Sequence, residues 1–267
     1  MKKWESETVQ RTSAECLRVL AERKSCSHKG ENGKVLVVSG SGEYHGSAIF
    51  ATLAASRFVD LVYVCTEKEN IPALKKWCPN SIVRGFGEAN ELAKECDSIL
   101  IGPGMEGKKA RKTTLMLLKR FPEKKFVIDA IALWFLKPNE LGKNCCVTPH
   151  AGEFKAFLGK KPCAENALRA NRKFGFVVVL KGKTDCIASR GKLWENETGN
   201  ALMTVGGTGD VLAGLITAFA AKNSLEKAAL AGCWLNGKAG ESLAKRMAGF
   251  NAMDLADELP VVMKKIS

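Results

Sequence analysis

The sequence predicts an α/β fold of three layers, with a mostly parallel central sheet and helices on both faces of that sheet. Two observations lead to this prediction. Short apolar runs alternate with longer segments of helical periodicity along the 267 residues, which is the order expected of parallel strands connected by helices. The apolar runs are also continuous rather than alternating, as in strands that are buried on both faces.

Six apolar runs predict the strands, at Val35–Val38, Leu61–Cys65, Ser98–Ile101, Phe126–Ile128, Cys145–Val147 and Phe176–Leu180. Helical periodicity predicts helices over 8–24, 47–58, 108–120, 151–158, 163–173, 208–221 and 225–247. Ser224 and Asn251 are residue types that cap helix N-termini, and they predict the starts of the last two helices. No linker, repeat or change of composition divides the chain, so we expect residues 1–267 to form a single domain.

The composition excludes several classes of protein. Hydrophobic residues make up 46% and charged residues 26% of the chain, which argues against a disordered protein. The longest apolar stretch, Val211–Ala221, is shorter than the roughly 20 residues that span a membrane. The first ten residues contain no apolar segment typical of a secretory signal. We therefore expect a cytoplasmic protein whose ten cysteines are mostly buried thiols.

The net charge of +13 raises the question of a nucleic-acid partner. The basic residues are spread along the whole chain, and the densest stretch, residues 108–125, has Leu115, Leu118 and Phe121 at helical spacing. These charges are therefore predicted to form the solvated face of an amphipathic helix. No aromatic residues alternate with them as a base-stacking platform requires. The pattern argues against a dedicated nucleic-acid-binding surface. It leaves open attraction for anionic substrates and weak, salt-sensitive binding of nucleic acids.

Ligands of parallel sheets bind beyond the carboxyl ends of the strands, so the residues that follow each strand are the candidates. The first strand leads into Gly40-Ser41-Gly42-Glu43-Tyr44-His45-Gly46. This spacing is one residue longer than that of the dinucleotide-binding motif, for which Glu67 could supply the ribose-binding acid. The third strand leads into Gly102-Pro103-Gly104. At both places, a tight turn that needs glycine explains the pattern equally well.

Charged or titratable residues follow the next three strands. Asp129 is a candidate for a polar or metal-linked role, or alternatively an N-cap for a short helix. His150 follows the fifth strand and is as compatible with a structural role as with a functional one. Glu153 fits the first turn of the next helix, where the helix dipole favours an acid. Lys181 ends a buried strand, where either a phosphate group or an ion pair would satisfy its charge.

The segment Gly206-Gly207-Thr208-Gly209-Asp210 precedes an apolar helix and is the most informative motif. Backbone N–H groups at such a helix N-terminus form an anion-binding cradle. Asp210 in the first turn would point into this cradle. A carboxylate beside a bound phosphate is suited to act as general base toward an attacking hydroxyl. Stabilisation of the helix dipole is the alternative role, and the three glycines favour the catalytic one.

An ordered series of motifs resembles the NAD(P)H-hydrate dehydratase family of the ribokinase-like superfamily over residues 28–245. The series consists of His28-Lys29-Gly30, the glycine turn at 40–47, Gly102-Pro103-Gly104, Asp129-Ala130, Thr148-Pro149-His150-Ala151-Gly152-Glu153, Leu180-Lys181-Gly182 and Gly199-Asn200 through Gly214. The resemblance implies a ribokinase-like fold. It also implies an enzyme that transfers phosphate from ADP or ATP to the hydroxyl of the 6S hydrate of NADH or NADPH. Phosphate is then eliminated and the reduced cofactor is restored.

The resemblance also implies roles for individual residues. Asp210 is the catalytic base, and Gly206, Gly207 and Gly209 form the anion hole. The nucleotide-binding residues are Lys181, Gly182, Lys183, Thr184, Asp185 and Gly209, and the hydrate-binding residues are Ser47, Gly104, His150 and Asp210. Asn200, Asp129 and Glu153 are further candidates. Mg²⁺ is expected with the phosphates, although no set of metal ligands is evident. Family members often form tetramers, so a homo-oligomer is expected.

Four of the motifs depart from the usual family pattern. Ser47 stands where alanine is usual, and Met105-Glu106 follow Gly104 where the family has leucine and glycine. Ile131 replaces the second acid after Asp129, and Lys183-Thr184-Asp185 replace a glycine-containing loop. Three other functions remain as alternatives: a small-molecule kinase of the same superfamily, a nicotinamide-dependent oxidoreductase that uses Glu67, and a basic nucleic-acid-binding protein.

Overall fold

A computed structural model describes residues 9–18, 20 and 25–266 of the chain. Its centre is a ten-stranded sheet in the order β1-β10-β9-β8-β7-β6-β5-β2-β3-β4. The strands are β1 Gln10–Arg11, β2 Lys34–Val38, β3 Leu61–Thr66, β4 Ser81–Gly85, β5 Ser98–Ile101, β6 Lys125–Ile128, β7 Cys145–Val147, β8 Val177–Leu180, β9 Asp185–Ser189 and β10 Lys192–Asn196. Strands β2 to β8 are parallel to one another, and β1 is parallel to β10. Strand β9 is antiparallel to both of its neighbours, β8 and β10. The mostly parallel sheet is confirmed.

Helices cover both faces of the sheet. They are α1 Glu15–Arg18, α2 His45–Ser56, α3 Ile71–Trp77, α4 Ala89–Glu95, α5 Gly107–Arg120, α6 Ile131–Phe135, α7 Ala151–Leu158, α8 Ala164–Phe174, α9 Thr208–Lys222, α10 Leu225–Ala244 and α11 Ala252–Ile266. The Ser224 side chain accepts a hydrogen bond from the N–H of Lys227, and Asn251 accepts from the N–H groups of Met253 and Asp254. Both predicted caps are therefore present.

Two hydrophobic cores separate the three layers. Strand β2 contributes side chains to both cores, because Val35 and Val37 face one core while Leu36 and Val38 face the other. The first core lies under α2, α9, α10 and α11, and the second under α4 to α8. Helix α9 packs closely on α2, since a side chain at Gly214 would collide with the backbone of Ala51. The apolar helix that follows the glycine turn is thus held in the centre of one layer.

The helix predicted over 8–24 is wrong in the part that the structure describes. Residues Gln10–Arg11 form a short edge strand beside β10, and only Glu15–Arg18 are helical; residues 8, 19 and 21–24 of that prediction lie outside the described residues. The sequence analysis also missed β4, α3, α4 and α6, and the hairpin of β9 and β10. These elements are short or have mixed polarity, so their periodicity is weak.

All ten cysteines lie in the described residues and have free thiols, and six of them are buried. Burial raises the pKa of Cys65, Cys78 and Cys96 to about 12, which keeps these thiols neutral and unreactive. Among the described helices, none combines the length and the apolar character needed to cross a bilayer.

Candidate active site

The loops that follow the parallel strands meet at the carboxyl edge of the sheet. The backbone N–H of Gly40 and the hydroxyl of Ser39 both donate to the carbonyl of Pro103, at 2.9 and 2.7 Å. The N–H of Lys181 donates to the carbonyl of Pro149 at 2.8 Å. These bonds join the loop after β2 to that after β5, and the loop after β7 to that after β8. Four separate segments of the chain thereby line one edge.

Lys181 lies at the centre of a group of carboxylates. Its Nζ is 2.8 Å from Oδ1 of Asp129 and 4.0 Å from Oε2 of Glu153. The side chain of Lys181 is 18% exposed, and those of Asp129 and Glu153 are 2% and 7% exposed. Burial disfavours the charged amine, but the two carboxylates outweigh it and raise the pKa of Lys181. The alternative role of Asp129 as an N-cap is not observed, because Ala130 occupies the cap position of α6.

Asp210 belongs to the same group and lies in the first turn of α9. Burial and the nearby charge of Asp129 raise the pKa of Asp210 to about 6, while a hydrogen bond from Ser47 and the ammonium of Lys181 oppose this shift. A carboxylate with a pKa near 6 is ionised at neutral pH and still basic enough to accept a proton. Ser47 lies in the first turn of α2, so the structure brings two predicted hydrate-binding residues together across the two helices.

His150 caps helix α7 through its side chain. Its Nδ1 accepts hydrogen bonds from the N–H groups of Gly152 and Glu153, at 3.0 and 3.4 Å. Glu153 completes a reciprocal cap, because its Oε2 accepts from the N–H of His150 at 2.8 Å. The bonds to Nδ1 place the imidazole proton on Nε2, which lies 3.3 Å from Oε1 of Glu153. Burial and the ammonium of Lys181 lower the pKa of His150, which favours the neutral ring. Because its Nδ1 lone pair already accepts the capping bonds, the ring offers its Nε2–H as a donor.

Glu153 is a second carboxyl group of the cluster with a raised pKa. Burial and the charge of Asp129 raise the pKa of Glu153 to about 7, with a smaller contribution from Asp210. Three carboxyl groups therefore share one ammonium at this edge of the sheet, and the cluster holds surplus negative charge when all of them are ionised. Such an arrangement is costly for folding and is typical of functional sites.

The glycine turn before α9 is open on one side and tightly packed on the other. A side chain at Gly206 would meet no neighbour, whereas one at Gly207, whose φ is +94°, would place its Cβ 2.5 Å from the ring of Phe50. A Cβ at Gly209 would lie 3.4 Å from Nζ of Lys181. The first N–H groups of a helix have no acceptor within the helix. The turn therefore presents free donors, a helix N-terminus and an ammonium group to the same space.

Gly104 closes the cluster on the side of α2. Its φ is +64°, and a Cβ at this position would lie 2.9 Å from Cβ of Ser47 and 2.6 Å from the carbonyl oxygen of Tyr44. Glycine is thus required for the loop after β5 to approach α2. The structure brings Gly104, Ser47 and Asp210 close together, and their shared binding of the hydrate remains a prediction.

The segment Lys181–Asp185 forms a tight turn between β8 and β9. Oδ1 of Asp185 accepts from the N–H of Gly182 at 3.0 Å, and its Oδ2 accepts from the side chain of Asn196 at 3.1 Å. Gly182 and Lys183 are exposed, and Thr184 is half-buried. The Asp185 carboxylate is thus engaged within the protein, while Lys181, Lys183 and the backbone of the turn face the cluster or solvent.

Asn200 follows β10 and caps the 3-10 turn Ala201–Met203, with its Oδ1 accepting from the N–H of Leu202 at 2.9 Å. Its Nδ2 is a buried donor for which the described residues supply no acceptor. Leaving such a donor unpaired is costly, which supports a ligand contact at this position. Among the described residues, no three potential metal-ligating side chains are grouped as a metal site requires.

The sequence analysis missed Asn70, which is buried beneath the first glycine turn. Its Nδ2 donates to the carbonyl of Ser41 at 2.9 Å and to Thr66 Oγ1 at 3.2 Å. No local pattern marks this residue, because its main partner lies 29 positions away. Glu67, the alternative ribose-binding acid, forms an ion pair with Lys109 instead.

Comparison with known proteins identifies relatives of this chain. The sequence profile described as NAD(P)H-hydrate dehydratase matches residues 35–261. An ADP-dependent (S)-NAD(P)H-hydrate dehydratase of Cenarchaeum symbiosum is 40% identical over 92% of this chain and 94% of that protein. One from Nitrosopumilus maritimus is 38% identical, over 95% and 96% of the two chains. The crystal structure of the ADP/ATP-dependent enzyme of Bacillus subtilis, co-crystallised with ATP and Mg²⁺, aligns with a TM-score of 0.86 at 27% identity, covering 97% of this chain and 99% of that one.

Proposed function

Because the chain belongs to the NAD(P)H-hydrate dehydratase family, we propose that it uses ADP or ATP to dehydrate the 6S hydrate of NADH or NADPH. The observation that carries this proposal is that Asp210, Ser47 and Lys181 lie close together beside the open glycine turn at the start of α9. The relatives described as ADP-dependent favour ADP as the phosphate donor.

Asp210 is the group best placed to activate the hydroxyl of the hydrate. Its carboxylate takes the hydroxyl proton, and the hydroxyl oxygen forms a bond to the terminal phosphorus as the bond to the leaving phosphate oxygen of the nucleotide breaks. The hydrogen bond from Ser47 favours the ionised form of this carboxylate and partly offsets the effect of burial. The imidazole of His150 is excluded as this base by its own capping bonds.

The glycine turn and Lys181 stabilise the phosphate during transfer. Free N–H groups at the start of α9 bind the phosphoryl oxygens, and the ammonium beside Gly209 neutralises the charge that they carry. Asp129 acts as a positioning residue, since it holds this ammonium at 2.8 Å. In the second step, the carbon–oxygen bond breaks with its electron pair leaving on phosphate. Loss of a proton from the adjacent ring carbon then forms the double bond of the reduced cofactor.

Mg²⁺ fits this site as a companion of the nucleotide rather than as a resident ion. Its preferred ligands are oxygens, and it is usually held by one or two carboxylates together with substrate phosphates. Asp210 and Asp129 supply carboxylate oxygens of this type beside the glycine turn. When bound, the ion would offset the negative charge of the phosphates. We also propose that the chain assembles into a homo-oligomer, as the family resemblance implies.

The test is the recovery of the absorbance band of reduced nicotinamide. The protein is mixed with prepared NADH hydrate and Mg²⁺, and ADP and ATP are supplied in separate reactions. We expect the band to return with a nucleotide and free phosphate to accumulate in equal amount. Accumulation of a stable phosphorylated alcohol would instead establish the small-molecule kinase, and absence of both products would overturn the proposal.

A further inference from the structure

Trp134 lies next to the proposed active site but belongs to none of the motifs that define it. It is in α6, the short helix that follows β6 and Asp129, and α6 packs against α7. A Cβ at Gly152 would lie 2.9 Å from Cε1 of His150 and 3.9 Å from Cζ2 of Trp134. The indole and the imidazole therefore both lie close to Gly152, at the N-terminus of α7.

Trp134 exposes a large apolar surface beside the proposed active site. Its side chain is 52% exposed, although an indole has one of the largest apolar surfaces of any residue. The adjacent Phe135 is also partly exposed, but its ring fills the space in which a side chain at Gly107 would stand. Trp194 and Trp234 are 8% and 7% exposed. Packing of the described residues thus accounts for these three aromatic residues and leaves the exposed face of Trp134 without a role.

The location of Trp134 favours one kind of ligand. The order of strands in the sheet places α6 on the β5 side of His150, away from the turn Lys181–Asp185. This is the side on which Gly104 and Ser47 lie, and it is therefore the side of the hydrate rather than of the phosphate donor. A dinucleotide carries an adenine ring some distance from its reacting ring, and adenine stacks well on aromatic side chains.

We propose that Trp134 is a substrate-specificity residue that stacks on the adenine ring of the dinucleotide substrate. The inference rests on the proposed function, because that function places the dinucleotide at this side of the edge. Trp134 touches no reacting atom, so it contributes to binding of the hydrate and not to the chemical steps.

The test compares Trp134→Ala and Trp134→Phe with a matched control, Trp77→Ala. Trp77 is 50% exposed and lies at the end of α3, which runs from the carboxyl end of β3 toward the start of β4 at the opposite edge of the sheet. Calorimetric titrations measure the Kd of NADH, the product of the proposed reaction, and separately that of ADP. Kinetics with NADH hydrate give KM and kcat.

We expect Trp134→Ala to weaken NADH binding and to raise KM for the hydrate at least about 5-fold, with kcat and the Kd of ADP unchanged within about 2-fold. Trp134→Phe should recover most of the loss, and Trp77→Ala should behave as wild type. Unchanged NADH binding in Trp134→Ala overturns the proposal. A weakened ADP affinity also overturns it, because the ring would then bind the phosphate donor.

Light scattering tests the main competing role of the exposed indole, which is contact between two copies of the chain. If Trp134→Ala lowers the oligomeric mass, the indole belongs to an interface between copies of the chain, and the proposal is wrong. The titrations with NADH do not require turnover. A wild-type protein that binds NADH through Trp134 but fails to dehydrate the hydrate would therefore overturn the proposed function and leave this inference standing.

Discussion

Lys181 at the carboxyl edge of the sheet and Lys222 at the amino edge each pair with an aspartate, but in very different surroundings. Lys222 Nζ lies 3.4 Å from Asp97, and both side chains are about one-third exposed. Asp97 has a structural task, since it also accepts from the N–H of Lys34 at 2.8 Å. Lys181 lies 2.8 Å from an almost fully buried Asp129 and faces two further carboxylates.

The two ion pairs differ in their electrostatic contribution to the free energy of folding. A half-exposed ion pair contributes about 0–1 kcal/mol and is easily replaced by water. Burying three carboxylates around one ammonium opposes folding, and such arrangements are typical of functional sites. The ion pair at the amino edge is thus a structural contact, whereas the charge cluster at the carboxyl edge fits the charged ligand that we propose for this site. Four substitutions sharpen this comparison, from the largest expected effect to the smallest.

Lys181→Met removes the ammonium and leaves Asp129 and Glu153 buried without a counter-charge. We expect the free energy of unfolding to fall by about 3–5 kcal/mol, the cost of breaking a buried pair. Lys222→Met is the matched change at the amino edge and should cost no more than about 1 kcal/mol. Urea denaturation of both variants at neutral pH measures the two values. Equal decreases in the free energy of unfolding would show that the two lysines do not differ in how strongly the fold depends on their charge.

Asp210→Asn removes the proposed base without changing the size of the side chain. Turnover of the hydrate should fall at least ~10²-fold, because general-base catalysis contributes that much or more. The Kd of ADP should change little, since the glycine turn and Lys181 remain. Asp97→Asn, at the other edge, serves as the control and should retain nearly full turnover. Near-normal activity in folded Asp210→Asn would contradict the assigned role.

Glu153→Gln changes how stability depends on pH. The pKa of Glu153 is about 7 in the folded protein, against an ordinary value of 4.5, so the folded state holds this proton more tightly. The free energy of unfolding of the wild-type protein therefore falls as the pH rises from 4.5 to about 7. The variant should lack this decrease, which amounts to at most ~1.4 kcal/mol per pH unit. Identical slopes for wild type and variant, measured by denaturation between pH 5 and pH 7, would show that Glu153 is already ionised at acid pH.

Ser47→Ala introduces the residue that is usual in the family. Loss of the hydrogen bond to Asp210 removes an influence that lowers the pKa of that carboxyl. The acidic limb of the pH profile of kcat/KM should therefore move to higher pH, by less than about one unit. Stability should remain near that of wild type. A limb that moves to lower pH would mean that Ser47 does not donate to the ionised carboxylate.

The site illustrates which contacts sequence reasoning can find. Lys181 and Asp129 were both selected, because each follows an apolar run that reads as a buried strand. Their pairing was not predicted, since 52 residues separate them and only the neighbouring positions of β6, β7 and β8 in the sheet bring them together. The capping role of His150 was also missed, because histidine is not among the usual N-cap residues. The roles assigned to individual residues for ligand binding remain predictions.

The sequence by itself determined the features that depend on local periodicity and backbone chemistry. Continuous apolar runs located the six central parallel strands, and polar caps such as Ser224 and Asn251 located helix starts. The triple-glycine turn before Asp210 marked the start of helix α9, and its binding of an anion remains a prediction. Each of these features depends on residues close together in the chain, so a single sequence is sufficient to reveal them.

Only the tertiary structure decided the edge strands and the electrostatics of the site. Gln10–Arg11 is a strand because β10 offers it unpaired backbone groups, not because of its own sequence. The pKa values of Asp210 and Glu153 depend on burial and on charges that come from four separate loops. Both effects arise from neighbours that are distant in the chain, and the burial of those neighbours exists only once the three layers have packed.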